Sequence, residues 1–117
     1  MAEVTIYHNP NCSTSKHAVA TAAQLGADAA IVQYLKTPPD EATLRAIIAK
    51  LEDPVTDLVR RDASWERLGL SDADVATEDQ VVAVLLAHKE LMQRPVLVTK
   101  DRAIIGRPKD RVNALLG

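Results

Sequence analysis

Two short β-type runs separated by one helical pattern occupy the first 35 residues, and their order strongly constrains the fold. The first run, Val4–Tyr7, leads into His8–Asn11, whose Asn and Pro residues are typical of a turn. An alanine-rich helical pattern then spans 16–25 and stops at Gly26, a residue type that commonly terminates helices. The second run covers 30–35. This succession predicts two parallel strands joined by a right-handed helical crossover.

The next part of the chain favours helices and predicts a helical insert at approximately 40–92. Asp40 is expected to cap the first helix of the insert, because apolar residues follow it at helical spacing. Shorter helical pieces are predicted at 58–61 and 65–68. The segment Thr77–Gln80 has the pattern of a capping box and opens a further apolar helix.

Two last apolar runs, Val96–Val98 and Ala103–Ile105, are separated by a tight turn and predict a β-hairpin. A closing helix is predicted over 110–116. The complete order is β-α-β, a helical insert, and β-β-α. It predicts a single domain over residues 1–117 with a thioredoxin-like α/β fold, in which helices flank a mixed four-stranded sheet.

Composition restricts the classes of function that the chain can serve. The net charge of −2 gives no general attraction to nucleic acid or to an anionic membrane, and 3% aromatic residues are too few for a base-stacking surface. The first residues do not resemble a signal peptide, and no apolar run approaches the roughly 18–20 residues that span a bilayer. One cysteine cannot form an internal disulfide. We therefore expect a cytoplasmic protein, monomeric by default, without nucleic-acid or membrane partners.

The one cysteine, Cys12, lies between the first β-type run and the following helix. A thiol at this place faces unpaired backbone N–H groups and the positive end of the helix dipole, which both favour the thiolate. The same N–H groups can hold an anion. Ser13 and Thr14 are expected to cap the helix. Cys12 is therefore a candidate nucleophile, although its position alone also fits a buried, inert cysteine.

His8 lies four residues before Cys12 and is a candidate for activating its thiol. A protonated imidazole nearby would lower the thiol pKa, and a neutral imidazole could transfer protons. The alternative is a histidine that only ends the first strand. His17 and His88 have no partners at metal-ligand spacing, so we expect no metal site.

Three arginines lie at breaks in the sequence pattern. Arg60 is at the end of a predicted helical piece, Arg94 precedes Pro95, and Arg107 follows Gly106. The planar guanidinium group suits two-point binding of tetrahedral oxyanions. The alternative for each is a solvated surface charge. That role suits four other arginines better, namely Arg61, Arg67, Arg102 and Arg111.

Pro95 begins the third predicted strand. In thioredoxin-like folds a cis proline at this place faces the active thiol, so an Arg-Pro pair would bring Arg94 beside Cys12. Without that analogy, Pro95 only marks a strand boundary. We predict the cis form, although most X-Pro bonds are trans.

Five segments along the chain resemble one known family, the glutaredoxin-coupled arsenate reductases. They are Ile6–Lys16, Tyr34–Pro39, Leu58–Arg61, Arg94–Val98 and Gly106–Pro108. The first contains Asn-Pro, a variable residue, Cys, Ser and Thr-Ser, which is similar to the family's signature loop. The resemblance extends over essentially the whole chain.

The resemblance implies that the protein reduces arsenate to arsenite through a covalent thiol-arsenate on Cys12. Arg60, Arg94 and Arg107 would bind the oxyanion, and His8 would help to activate the thiol. Glutathione would be the co-substrate and glutaredoxin the protein partner, with no tightly bound cofactor. Because the chain has one cysteine, an outside thiol must complete the reduction.

Two other functions remain open. Some members of the wider family are non-catalytic regulators that bind RNA polymerase, and these commonly carry a Cys-x-x-Cys pair. Here Ser15 stands three residues after Cys12, so that pair is missing. The other alternative is a glutathione-dependent thiol reductase that acts on mixed disulfides. Neither alternative needs three arginines to hold an oxyanion.

Overall fold

The computed structural model describes residues 3–117 and contains a mixed four-stranded sheet flanked by helices. Its strands are β1 (Val4–His8), β2 (Ala29–Gln33), β3 (Val96–Val98) and β4 (Ala103–Ile105). The strand order in the sheet is β2-β1-β3-β4. β1 and β2 are parallel, whereas β3 is antiparallel to both β1 and β4. This topology confirms the predicted thioredoxin-like α/β fold.

The helices lie between and after these strands. They are α1 (Ser13–Gln24), α2 (Glu41–Lys50), α3 (Ala63–Arg67), α4 (Glu78–Ala87) and α5 (Asp110–Leu116). Short 3-10 turns at Val55–Leu58 and Asp72–Val75 separate α2, α3 and α4, and a third at Lys89–Leu91 lies between α4 and β3. The Asp40 carboxylate caps α2 by accepting a 2.8 Å hydrogen bond from the Thr43 N–H, as predicted. The predicted capping box at the start of α4 is also present.

Three local predictions differ from the structure. α1 begins at Ser13 with Cys12 at the N-cap position, so neither Ser13 nor Thr14 caps it. β2 ends at Gln33, because the carbonyl of that residue accepts hydrogen bonds that start a turn. The piece predicted at 58–61 is not helical after Leu58. Its next residue, Val59, instead forms an isolated antiparallel bridge.

The sheet separates two apolar layers, and alternate strand residues enter opposite layers as the two-residue period requires. The first layer lies against α1 and α5 and contains Val4, Ile6, Ala18, Ala22, Leu97, Ile104 and Val112. The second layer lies against the helices between β2 and β3. It includes Tyr7, Tyr34, Leu44, Leu58, Trp65, Val81, Leu91, Met92 and Val96. Within residues 3–117, no helix is long and apolar enough to cross a membrane.

Candidate active site

The sheet topology brings two distant segments to one edge. β1 and β3 are antiparallel, and Tyr7 pairs with Val96. The residues that follow β1 and those that precede β3 therefore leave the sheet at the same edge. This places the loop that carries Cys12 beside Arg94, across a sequence separation that no local motif could bridge.

The loop after β1 is held by its own hydrogen bonds. Asn9 is buried, and its backbone carbonyl accepts a 3.1 Å hydrogen bond from the Cys12 N–H. The side-chain oxygen of Asn9 accepts another at 2.9 Å from the N–H of Asn11. These bonds turn the chain so that Cys12 lies at the N-terminus of α1 with an extended backbone.

Cys12 is 8% exposed, and its surroundings favour the thiolate. Burial alone would raise its pKa, but the N–H of Ser15, the Arg94 guanidinium and the N–H of Thr14 together hold the pKa of the thiol below its ordinary value. The donors include the free N–H groups that every helix leaves at its first turn. These surroundings are those expected of a reactive thiol.

His8 is linked to the thiol loop through Ser15. Its Nδ1 lies 2.6 Å from the Ser15 hydroxyl, which also accepts a 2.9 Å hydrogen bond from the N–H of Asn9. Burial lowers the pKa of His8, and the nearby Lys16 charge lowers it further, while the contact with Ser15 acts in the opposite direction. The lowered pKa favours the neutral imidazole at neutral pH. Sequence reasoning missed Ser15 as a site residue, although its position three residues into the helix places it on the face of Cys12.

Arg107 contacts the sulfur directly. Its Nη2 lies 3.3 Å from Cys12 Sγ, and its Nε donates a 2.7 Å hydrogen bond to the Arg94 carbonyl. The preceding Gly106 allows this approach, because a Cβ there would lie 2.7 Å from Pro95 Cγ. The Arg94–Pro95 peptide bond is cis, as predicted, and Arg107–Pro108 is also cis.

Arg60 completes a cluster of three guanidinium groups. Burial lowers its pKa, the charge of Arg94 lowers it further, and Asp62, Tyr34 and Arg107 make smaller contributions. Asp62 accepts a 2.8 Å hydrogen bond from Arg60 Nη1 and holds that side chain in place. Sequence reasoning did not identify Asp62, which also caps α3. The structure brings Arg94 and Arg107 beside Cys12 and places Arg60 near these two arginines.

The other arginines have mainly structural contacts. Arg61 binds Asp72 and the carbonyls of Thr56 and Val59, and its guanidinium lies 4.8 Å from the Trp65 ring centre. Arg111 binds Asp53 at 2.7 Å and the Ile105 carbonyl at 2.9 Å. Arg61 and Arg111 are thus bound within the fold, which corrects the expectation of simple solvated charges. Arg67 and Arg102 make exposed contacts with Ser64 and Glu52, as expected for surface charges.

A cleft of about 580 Å³ lies next to Arg107. It is lined by Asp53, Asp57, Val59, Arg61, Asp72, Gln93, Ile105, Arg107 and Arg111. Arg107 therefore lines this cleft, whereas Cys12 does not. In the described part of the chain, residues 3–117, no group of three or more Cys, His, Asp or Glu side chains could hold a metal ion.

The fold and the site together define a thioredoxin-like protein that presents one cysteine to a cluster of arginines. The chain belongs to the ArsC family, whose sequence model matches residues 7–115. This membership confirms, for the family, the resemblance seen in the sequence motifs.

Known relatives match nearly the whole chain. An arsenate reductase of Escherichia coli is 35% identical over 117 residues, which cover 99% of this chain and 82% of that protein. An arsenate reductase of Neisseria meningitidis serogroup A is 33% identical over 118 residues, covering 99% of this chain and 100% of that protein. The solved structure of an arsenate reductase from Vibrio cholerae has a TM-score of 0.86 and 30% identity, with 98% of each chain covered.

Proposed function

We propose that this chain is an arsenate reductase in which Arg60, Arg94 and Arg107 bind arsenate and the Cys12 thiolate attacks arsenic. The observation that carries the proposal is the 3.3 Å contact between Arg107 Nη2 and Cys12 Sγ. It supports the proposal because it brings a group suited to oxyanion binding within hydrogen-bond distance of the cysteine thiol. The arsenate reductases among the relatives supply the identity of the anion.

The arginines serve two purposes in this proposal. They offer fixed donors to a tetrahedral anion, and the charge of Arg94 favours the Cys12 thiolate before the anion arrives. Arg94 lowers the pKa of the thiol, and its side chain has a buried Nε with no hydrogen-bond partner among residues 3–117. That free donor supports a role in binding an anion, since buried donors in proteins are normally paired.

The first chemical step forms a bond between Cys12 sulfur and arsenic. The arsenate takes up one proton, one of its oxygens leaves as water, and arsenic remains As(V) in the thiol-arsenate product. Reduction to As(III) needs two electrons, which two thiols supply when they join as a disulfide. In total, arsenate and two glutathione molecules give arsenite, glutathione disulfide and water, and Cys12 is regenerated.

His8 acts through Ser15 in this proposal. The Ser15 hydroxyl joins His8 to the Asn9 N–H, and the Ser15 N–H stabilises the thiolate. His8 is therefore a positioning residue, which fixes the loop that holds the nucleophile. Its neutral form is suited to this task, because it adds no charge that varies near pH 7.

The reductant is glutathione, with glutaredoxin as the protein partner. Two considerations support this part of the proposal. The chain's one cysteine leaves the adduct without an internal thiol to resolve it. The sequence motifs also resemble those of the glutaredoxin-coupled members of the family.

A coupled assay tests the proposal. NADPH oxidation is followed with arsenate, glutathione, glutaredoxin and glutathione reductase, and in parallel with thioredoxin and thioredoxin reductase as the reductant. We expect arsenate-dependent turnover with the first reductant and none with the second or with Cys12→Ser. Turnover with thioredoxin alone would contradict the proposed reductant but not the reaction. Turnover of a mixed disulfide without any response to arsenate would favour the thiol reductase instead.

A further inference from the structure

Tyr34 carries a buried hydroxyl that the fold does not satisfy. The residue is 0% exposed, and its hydroxyl has no hydrogen-bond partner among residues 3–117. Native proteins rarely leave such a group unpaired, because it has lost its hydration without compensation. In the described chain, the other buried side-chain nitrogen or oxygen in this condition is Arg94 Nε.

The position of Tyr34 puts it at the same edge of the sheet as the thiol loop. β1 and β2 are parallel, and their last residues, His8 and Gln33, are paired. Tyr34 directly follows Gln33, and Asn9 directly follows His8. The chain therefore leaves the sheet at Tyr34 beside Asn9. Arg94 reaches this edge from β3, as described above.

Tyr34 also belongs to the apolar cluster that supports Arg60. That cluster contains Leu58, Val59, Leu91 and Met92. Val59 and Met92 form an antiparallel bridge, and the Arg60 N–H donates a 2.7 Å hydrogen bond to the Leu91 carbonyl. Tyr34 is also close enough to Arg60 to affect the pKa of its guanidinium group, so it lies near both the residues after β1 and Arg60.

The neighbouring guanidinium groups cannot accept the proton of this hydroxyl, because arginine has only donors. A tetrahedral oxyanion bound among them would supply several oxygen atoms as hydrogen-bond acceptors. It could accept hydrogen bonds from the Tyr34 hydroxyl and from Arg94 Nε together. A hydrogen bond to a charged group is stronger than one between neutral groups, so the tyrosine would strengthen anion binding.

We infer that Tyr34 is a further substrate-binding residue, whose hydroxyl donates a hydrogen bond to an oxygen of the anion held by Arg60, Arg94 and Arg107. The inference rests on the proposed oxyanion binding and extends the set of binding groups to a residue without charge. It also assigns the unpaired hydroxyl a purpose. The unpaired hydroxyl lowers the stability of the free protein and strengthens anion binding in the complex.

This role predicts effects of opposite sign in one variant. Tyr34→Phe removes only the hydroxyl, so the unfolding temperature without arsenate should stay the same or rise, because an unpaired buried group is gone. The dissociation constant for arsenate, measured by calorimetric titration of the full chain without reductant, should increase about tenfold. The KM for arsenate should increase by the same factor, while the KM for glutathione should not change.

Tyr7→Phe is the matched control. It removes the same atom from a buried tyrosine that lies in a separate cleft with Asp40, and arsenate binding should match that of the wild type. The inference is overturned if Tyr34→Phe binds arsenate as the wild type does. It is also overturned if that variant is less stable without arsenate and keeps its full arsenate-induced rise in unfolding temperature. A wild-type protein that binds no arsenate would overturn the proposed function, and the role of Tyr34 with it. Equal binding by the wild type and Tyr34→Phe would overturn the role of Tyr34 alone.

Discussion

Arg107 Nη2 donates a hydrogen bond to Cys12 Sγ over 3.3 Å, although the two residues are 95 positions apart in the chain. The contact requires that the loop after β1 and the segment after β4 meet at one place. Gly106 makes the meeting possible, since any side chain there would collide with Pro95. Cys12 and Arg107 are therefore positioned by the sheet and not by local sequence.

Replacing Arg107 should weaken arsenate binding. In Arg107→Gln the charge and the two-point geometry are lost, and we expect the KM for arsenate to increase roughly 10- to 100-fold. Steady-state kinetics with varied arsenate measure this. Arg102→Gln is the matched control, because Arg102 makes an exposed contact with Glu52 and should leave the KM unchanged. Equal KM values for the Arg107 variant and the wild type would remove Arg107 from the site.

The pKa of Cys12 should be visible in its reactivity. Because the chain has one cysteine, the rate of alkylation by iodoacetamide reports on that thiol alone. The rate should rise with pH and level off at a midpoint below the value of about 8.5 for a free cysteine. Arg94→Gln should move the midpoint upward, since Arg94 lowers the pKa of the thiol, and Arg94→Lys should restore part of the shift. A midpoint that is the same in the wild type and in both variants would contradict the electrostatic role of Arg94.

His8 should make stability depend on pH. Burial keeps its pKa in the folded protein below the unfolded value of about 6.5, so the unfolded chain binds more protons between the two values. Stability should therefore be lost as the pH falls through about 6.5 and become insensitive to this group below the folded pKa. When the free energy of unfolding is measured by denaturant across this pH range, it should depend less steeply on pH in His8→Asn. The asparagine retains a side chain able to bind Ser15. An identical dependence in both proteins would show that His8 is not the group responsible.

Asp53 should contribute to stability by joining three parts of the fold. Its carboxylate accepts a 3.0 Å hydrogen bond from the Ile105 N–H of β4 and a 2.7 Å hydrogen bond from Arg111 of α5. We expect Asp53→Ala to lower the free energy of unfolding by about 1.5–3 kcal/mol, the range for hydrogen bonds to charged groups. Urea unfolding measures it. The neighbouring Glu52→Ala should have a much smaller effect, because its ion pair with Arg102 is solvent-exposed; equal losses in the two variants would show that the interior contacts of Asp53 add nothing.

Elements with strong local signals could be predicted from the sequence. The caps at Asp40 and Thr77, the stop at Gly26 and the hairpin between β3 and β4 all follow from residue types at fixed spacing. The helical prediction for the segment after Leu58 was wrong because a long-range bridge between Val59 and Met92 outweighed its local helical preference. Tertiary pairing of this kind leaves no local signal.

The candidate site could be predicted only in part. Cys12 was identified by its position before a helix, and the three arginines were identified by breaks in the sequence pattern. Only the sheet topology brings these residues together. Ser15 was missed because its contacts with His8 and Asn9 depend on how the loop folds. Tyr34 was missed because its unpaired hydroxyl is a property of the packed core.

The most direct test of the central claim is the amount of arsenite formed from arsenate, determined by chromatographic arsenic speciation. Wild-type protein and Cys12→Ser are incubated with arsenate, glutathione and glutaredoxin, and a sample without protein gives the background. We predict arsenite formation well above background with the wild type and background levels with Cys12→Ser. Arsenite formed equally by both proteins would contradict Cys12 as the nucleophile. A folded wild-type protein that forms none would contradict the arsenate reductase function.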